Sequence, residues 1–396
     1  MNASSVAVSA ADRRSAFRFI VCLGIVSLFA DMTYEGADAI RGPYLKSLGA
    51  TAFQVGFISG LGEMLAASLR FFSGRLADRT HAYWAIAILG YSLNVIAIPA
   101  LAFAGSWQVA TLLVVLERTG KAIRGPARDV LLSEATEHVG HGTGFGLHAA
   151  MDQIGAVVGP LLMAIALTRV TGYGPAFLLL GIPALFALSA ILLAWTFRHV
   201  PQTPPKPKPP QPLTRVFWWY VVASALLACG FVDWGLLSFH YVDQAGMFAP
   251  QYIPLLYSVA MGVVGLTAFL CGRLFDRFGL TVLAVGILVT MLALPLGFLG
   301  GVTGAVLAAV CWAAGHGVQD ATLRAGIAQV VSMNKRGTAF GVFNAVYGVA
   351  WFAGSLAMGW LYDQSLTALV VFGLVMQISA AAIFFWLRDP LRAAAE

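Results

Sequence analysis

The chain has 396 residues, of which 59% are hydrophobic and only 11% are charged, with a mean hydropathy of +0.81. So little polar side chain cannot cover a water-soluble globule, which excludes soluble enzymes and nucleic-acid binders at the outset. The formal charge of +6 is therefore to be read by position rather than as the sign of an acidic partner.

Met1 to Ala16 is polar and carries Arg13 and Arg14. The apolar run that starts at Phe17 continues into Asp31 and Glu35, too long for a cleaved signal peptide, so it predicts an uncleaved first span. Further runs of spanning length follow at 50–72, 82–104, 107–128, 143–168 and 174–197. A second set lies at 217–240, 252–272, 279–300, 303–328, 337–361 and 366–388. Between the sets, His199 to Pro212 is too rich in proline for a helix and too polar for a span, so it predicts an extended aqueous linker. Arg13, Arg14, Arg18, Arg75, Arg79, Lys206, Lys208, Arg273 and Arg277 fall on one side of this arrangement, against Arg41, Lys46 and Arg169 on the other. Basic residues collect on the cytoplasmic side, which puts both termini and the linker there.

The two sets repeat each other. Ser73-Gly-Arg-Leu-Ala-Asp-Arg79 is matched by Cys271-Gly-Arg-Leu-Phe-Asp-Arg277, and Gly142-Thr-Gly-Phe-Gly146 by Gly337-Thr-Ala-Phe-Gly341. Asp31 is matched in the same way by Asp233. The predicted fold is an all-α membrane protein of twelve transmembrane helices in two six-helix bundles related by a parallel repeat. Its parts are an N-terminal tail (1–16), a first bundle (17–198), a cytoplasmic linker (199–216), a second bundle (217–388) and a C-terminal tail (389–396). Cys22, Cys229, Cys271 and Cys311 lie in or beside apolar runs without metal-ligand spacing and read as reduced packing residues.

On these motifs the chain resembles the major facilitator superfamily over essentially its whole length. Gly74-Arg-Leu-Ala-Asp78-Arg79 is similar to that family's loop motif after the second helix, although Thr80, His81 and Ala82 replace the residues that usually close it. Gly155-Ala-Val-Val-Gly159-Pro160 resembles the fifth-helix signature of proton-driven exporters. Arg118-x-Gly-Lys-x-x-Arg-x-Pro-x-Arg-Asp129 resembles a fourth-helix motif of a prokaryotic subgroup. The resemblance implies a secondary transporter of the inner membrane that works by alternating access, without cofactor, as a monomer.

Charged residues inside spans supply the candidate site. Arg118 lies roughly 16 Å along a helix that starts at Trp107, near the middle of a hydrocarbon core about 30 Å thick. Lys121, Arg124 and Arg128 share its face, with Glu117 among them. A lipid-facing cation costs roughly 3 kcal/mol or more at that depth, so the stripe must face protein or a watery cavity. Asp31, Glu35 and Asp38 share one face of the first span, the latter two near its external end. Glu63 is central in the second span with Arg70 two turns away, and Asp152 is central in the fifth with His148 one turn below. Carboxyls that pass between low-dielectric and ion-paired surroundings suit proton coupling, which makes Asp152, Asp31, Glu63 and His148 candidates for it. Static ion pairs, Asp152 with Arg118 and Glu63 with Arg70, are the alternative reading.

Arg118, Lys121, Asn344, Tyr347, Asp233 and His316 are the candidate substrate-binding residues, and Asp78, Arg79, Arg124, Arg128, Asp129, Asp276 and Arg277 the candidate gating residues. Asp320 and Arg324 are expected to neutralise each other, and Trp234, Trp312, Trp351 and Phe352 to serve chiefly in packing. No nucleotide-binding loop or metal cluster is present in the pattern. The expected function is proton-coupled efflux of a small organic molecule. Transport of an anion clamped by Arg118 and Lys121 is the first alternative, and a membrane-embedded enzyme using His148 with Asp152, or His316 with Asp320, the second.

Overall fold

The computed structural model describes residues 10–136, 139–196, 213–244, 247–331 and 336–393. Among these residues the regular structure is helical and no strand occurs. The first half comprises α1 (Ala10–Ser47), α2 (Ala52–Thr80), α3 (Tyr83–Ala100), α4 (Trp107–Thr136), α5 (His141–Ala166), α6 (Tyr173–Leu179) and α7 (Gly181–Thr196). The second comprises α8 (Arg215–Gly230), α9 (Trp234–Asp243), α10 (Tyr252–Phe278), α11 (Leu280–Met291), α12 (Ala293–Leu299), α13 (Gly301–Val330), α14 (Arg336–Gln364) and α15 (Leu366–Ala393). Among the described residues, eleven helical stretches are long and apolar enough to cross a membrane. α4 is long enough at 30 residues, but its charged stripe makes it too polar to count by hydropathy. The proline-rich part of the linker lies outside the described residues.

Local chemistry sets the helix ends. α2 opens on a capping box in which Thr51 Oγ1 accepts from the Gln54 amide (3.3 Å) and Gln54 Oε1 from the Thr51 amide (2.9 Å). It closes where His81 turns left-handed at φ 53°. Gly155 and Gly159 let α5 press against α1, since a Cβ at either would collide with the carbonyl of Leu28 or Met32.

Three boundaries differ from the sequence expectation. The motif at 73–79 is not a loop but the last turns of α2, and 271–277 ends α10 in the same way. α1 continues to Ser47, so Glu35 and Asp38 are not solvated at its end but enclosed within it. The seventh span is broken, because α8 stops at Gly230 and the chain runs extended to Asp233, whose side chain accepts from the Gly235 amide (2.7 Å) and starts α9.

The apolar core divides in a way that positions the site. At the face bearing Arg75, Arg79, Arg273 and Arg277, here termed the basic face, each half has its own core. One is built around Tyr83, Tyr91 and Leu131, the other around Tyr220, Phe275 and Phe384. Toward the far face a single core merges residues of both halves, including Ile40, Tyr44, Trp234 and Trp312. α1 packs there against α9, and α1–α10, α2–α9, α2–α14 and α5–α10 also pack across the halves, with Phe71 of α2 against Gly341 of α14 nearer the basic face. The halves thus share one apolar core at the far face and have separate cores toward the basic one.

Candidate functional site

Where the halves separate they enclose a cavity of about 650 Å³. It opens toward the basic face, where its lining residues Asp320 and Arg324 are exposed, and it ends at buried Arg41 and Trp234. α1, α2, α4 and α5 give it a charged wall, and the α8–α9 break, α10, α13 and α14 a largely aromatic one.

The deep part of the charged wall is an ion cluster centred on Arg118. Its Nη2 lies 2.8 Å from Asp38 Oδ2, its Nη1 2.9 Å from Glu63 Oε1 and its Nε 3.2 Å from Glu117 Oε2. Arg41 is ion-paired with Asp38 and lies 3.8 Å from Glu117, which also accepts a 2.8 Å bond from Asn94. A guanidinium held by three carboxylates has little capacity left for the substrate contact expected of Arg118. Lys121 is different, since its ammonium sits 3.7 Å over the Tyr34 ring and has no carboxylate within 4 Å among the described ion pairs.

Nearer the basic face the partners change. Arg124 lies 3.7 Å from Asp31 and over the Tyr91 ring, while Arg128 binds Asp129 through Nε (3.0 Å) and Nη2 (2.8 Å). Arg124 and Arg128, candidate gating residues of this helix, line the cavity. Asp152 and Asp31 line the same wall of the cavity where α5 packs on α1, and the Oδ1 of Asp152 is buried without a hydrogen-bond partner among the described residues. His148 is buried beside this pair and its Nε2 has no partner in the structure.

Two expected pairs are thus corrected. Asp152 does not meet Arg118: each lies eleven residues into its helix, but α4 and α5 enter from opposite faces. At ~1.5 Å per residue, helices of this length leave a separation of several ångströms between two such points. Glu63 binds Arg118 rather than Arg70, because the guanidinium reaching from α4 is nearer than one two turns along the same helix.

On the opposite wall Phe231, Trp234, Tyr257, Trp312 and Trp351 form one ring cluster, with centroids 4.8–6.1 Å apart. Trp234, Trp312 and Trp351 therefore face the cavity as well as packing, whereas Phe352 packs edge-on against Phe57 outside it. Tyr257 donates to Glu35 Oε2 at 2.7 Å, tying the two walls together. Asn344 and Tyr347 line the cavity as expected, with the Tyr347 hydroxyl donating to Gln319 Oε1 at 3.1 Å. Asp233 lines it from the helix break. His316 also faces the cavity and lies 3.6 Å from Asp320, so Asp320 turns to His316 and not to Arg324. Asp78 is exposed and accepts from the Tyr83 hydroxyl at 3.3 Å, within its own half, rather than from a neighbouring helix end. Arg79, Asp276 and Arg277 are exposed at the basic face, away from the cavity.

Sequence reasoning missed Arg41 as a site residue, although it stands three residues past Asp38 on the same helix face. It also missed a bridge at the far face, where Lys46 lies 2.6 Å from Asp243, which in turn accepts from Tyr362 (3.0 Å). That bridge joins residues far apart in the chain and has no local signal.

Comparison with known proteins places this geometry. The profile of the Major Facilitator Superfamily matches residues 22–355 and 234–396. A protein of Mycobacterium tuberculosis H37Rv, described as uncharacterised, is 42% identical over 389 residues, covering 95% of this chain and 94% of its own. Among solved structures, the nucleoside transporter NupG superposes with a TM-score of 0.70 at 16% identity, covering 93% of this chain and 98% of its own. A bacterial homologue of the human lysosomal transporter Spinster, inward-facing and unoccupied, gives 0.69 at 17% identity, covering 96% and 98%. At such identities these two structures speak to the fold alone.

Proposed function

Because the chain belongs to the major facilitator superfamily, we propose that it is a proton-coupled exporter of a small organic solute in the cell inner membrane, with both termini cytoplasmic. On this reading α4 is the twelfth span, the halves are two six-helix bundles related by a parallel repeat, and they rock about the cavity. The basic face is then cytoplasmic and the structure faces inward, with the far face sealed by the shared core.

The observation that carries proton coupling is the placement of Asp31 and Asp152 on one wall of the cavity, where α5 packs on α1 and Arg124 lies 3.7 Å from Asp31. On this reading the two carboxyls together hold one proton and release it when α1 and α5 shift relative to Arg124 and Arg128. Glu63, fixed on Arg118, stays ionised and serves stability. His148 sits within reach of the pair as a relay toward the cytoplasm.

The test uses proteoliposomes and a solute identified by screening a metabolite and drug library for flux. Asp152→Asn is expected to lose accumulation driven by a pH gradient while keeping solute exchange, because a permanently neutral side chain still lets the bundles rock. Wild-type accumulation that is indifferent to a protonophore would overturn the proton reading.

A further inference from the structure

The cavity's charges do not all have partners, and the exceptions lie together. Apart from Lys121, Arg70 of α2 and Arg324 of α13 are the cavity cations with no carboxylate within 4 Å among the described ion pairs. Acids exist close to each along its own helix, but they are engaged elsewhere. Glu63 is held by Arg118, and Asp320 is drawn to His316. Asp129, the remaining acid near Arg70, is bound by both the Nε and Nη2 of Arg128. Arg70 Nε is buried without a hydrogen-bond partner, against Gly125 of α4. Arg324 lines the same cavity from the other half of the molecule.

Two guanidiniums on opposite halves repel each other and oppose closure of the basic face. An anion between them reverses the sign of that interaction and gives each a charge-assisted, potentially bidentate partner. Beside them Phe343, Tyr347 and Trp351 recur every fourth residue along α14 and touch in series, Phe343 stacked on Tyr347 at 5.5 Å between centroids and Tyr347 tilted by 49° against Trp351 at 5.8 Å. This ladder runs from the level of the arginines up to the tryptophan cluster, and all three rings line the cavity. The Nε1 of Trp351 has no partner, so a polar edge on the ligand has a donor waiting at the deep end.

We propose that Arg70 and Arg324 form the anion subsite of the transported solute, which is a flat, unsaturated organic acid whose body lies along the Phe343–Tyr347–Trp351 ladder. The inference rests on the cavity being the transport site, but it does not require proton coupling. The anion draws α2 and α13 together, so substrate itself supplies the free energy for closing the basic face.

The test is binding to the purified full chain in detergent, which is independent of any transport assay. The probes are 1-naphthoate, its cationic counterpart 1-naphthylmethylammonium and neutral naphthalene, titrated by calorimetry. Naphthoate is expected to bind, with Arg70→Gln and Arg324→Gln each weakening it at least tenfold and Arg324→Lys retaining part of the affinity. Arg324 is exposed, so its variants test the subsite even if Arg70→Gln fails to fold. Absence of naphthoate binding to the wild type, equal binding of the cation, or unchanged affinity in Arg324→Gln overturns the proposal. Wild-type binding with loss in both variants, alongside transport that ignores a protonophore, upholds the subsite while removing the coupling reading.

Discussion

The two walls of the cavity solve the same problem, polar function inside a membrane, by different means. The first-half wall puts Asp31, Asp38, Glu63, Arg118, Arg124 and Arg128 in a low-dielectric setting and makes most of them one another's partners. The second-half wall presents indole and phenol rings whose polar edges are divided among backbone, as where Trp312 Nε1 donates to Val232 O at 2.9 Å, and side chains, as where Tyr257 and Tyr347 donate to Glu35 and Gln319. Charge on one side holds shape and is proposed to move protons, whereas rings on the other offer area to a solute without fixing its identity. The lesson is that a charged residue in a span is a functional candidate only after its partners are counted. Arg118, the most prominent cation in the sequence, is among the most fully paired in the structure.

The harshest way to break the charged wall is Arg118→Ala. Among the described ion pairs it leaves Glu63 with no cation and Asp38 and Glu117 with Arg41 alone, which is expected to lower stability by about 3–5 kcal/mol and abolish transport. Thermal unfolding in detergent reads the first effect. Glu63→Gln in the same chain should recover part of the loss, with a coupling energy of order 1–3 kcal/mol in a double-mutant cycle, whereas Asp152→Asn should be additive with it. Coupling to Asp152 rather than to Glu63 would show that the cluster is arranged otherwise.

The comparison sharpens with substitutions of one chemical kind at two sites of the same wall. Asp152→Asn removes the carboxyl proposed to carry the proton, and Glu63→Gln breaks an ion pair of 2.9 Å. The first is expected to remove gradient-driven accumulation alone, and the second to reduce stability by about 1–2 kcal/mol and slow every transport mode together. Flux under a pH gradient and solute exchange, measured side by side, separate them. Loss of exchange in Asp152→Asn would assign that residue a structural role.

Much of this was legible in the sequence for a physical reason. Spans announce themselves because lipid tolerates only long apolar helices, and the stripe on α4 announces a cavity because lipid tolerates no such stripe. Helical spacing placed Asp31, Glu35 and Asp38 on one face, and the structure keeps them there. Partner choice was not legible, since it depends on relative depth between helices. Asp152 and Arg118 are equally far from their own helix starts, yet those starts lie on opposite faces. The break before α9 carried only a weak local signal in Gly230 and Asp233, and a helix with two capping residues inside it still scores as one apolar run. The Lys46–Asp243 bridge needs the tertiary structure outright.

On the aromatic wall the expected effects are smaller. Trp351→Ala removes the top ring of the ladder and opens space against Phe231 and Tyr347, lined by side chains that remain satisfied without it. Affinity for an aromatic solute is expected to fall roughly tenfold, about 1.4 kcal/mol, with Trp351→Phe in between. Titration of the two variants against wild type checks the order, and equal affinity in all three would leave the ladder as packing.

The smallest effect belongs to the far face, where the two walls meet. Lys46 and Asp243 are 29% and 39% exposed, so their bridge is solvent-screened and contributes at most about 1 kcal/mol. It nevertheless spans the halves, linking the end of α1 to the end of α9, and the Tyr362 hydroxyl holds Asp243 in place while meeting His240 Nδ1 at 2.9 Å. A contact made only when the far face is shut acts on the balance between the two facing states, and 1 kcal/mol there is about fivefold in population. Asp243→Asn keeps the shape and the capacity to accept from Tyr362 but removes the charge. Amide hydrogen exchange in α9 is therefore expected to rise by up to about fivefold in this variant at low salt, and by less at high salt, where screening has already weakened the wild-type bridge. Exchange that is unchanged at both salt concentrations would mean that the merged apolar core around Ile40 and Trp234, rather than this ion pair, keeps the far face closed.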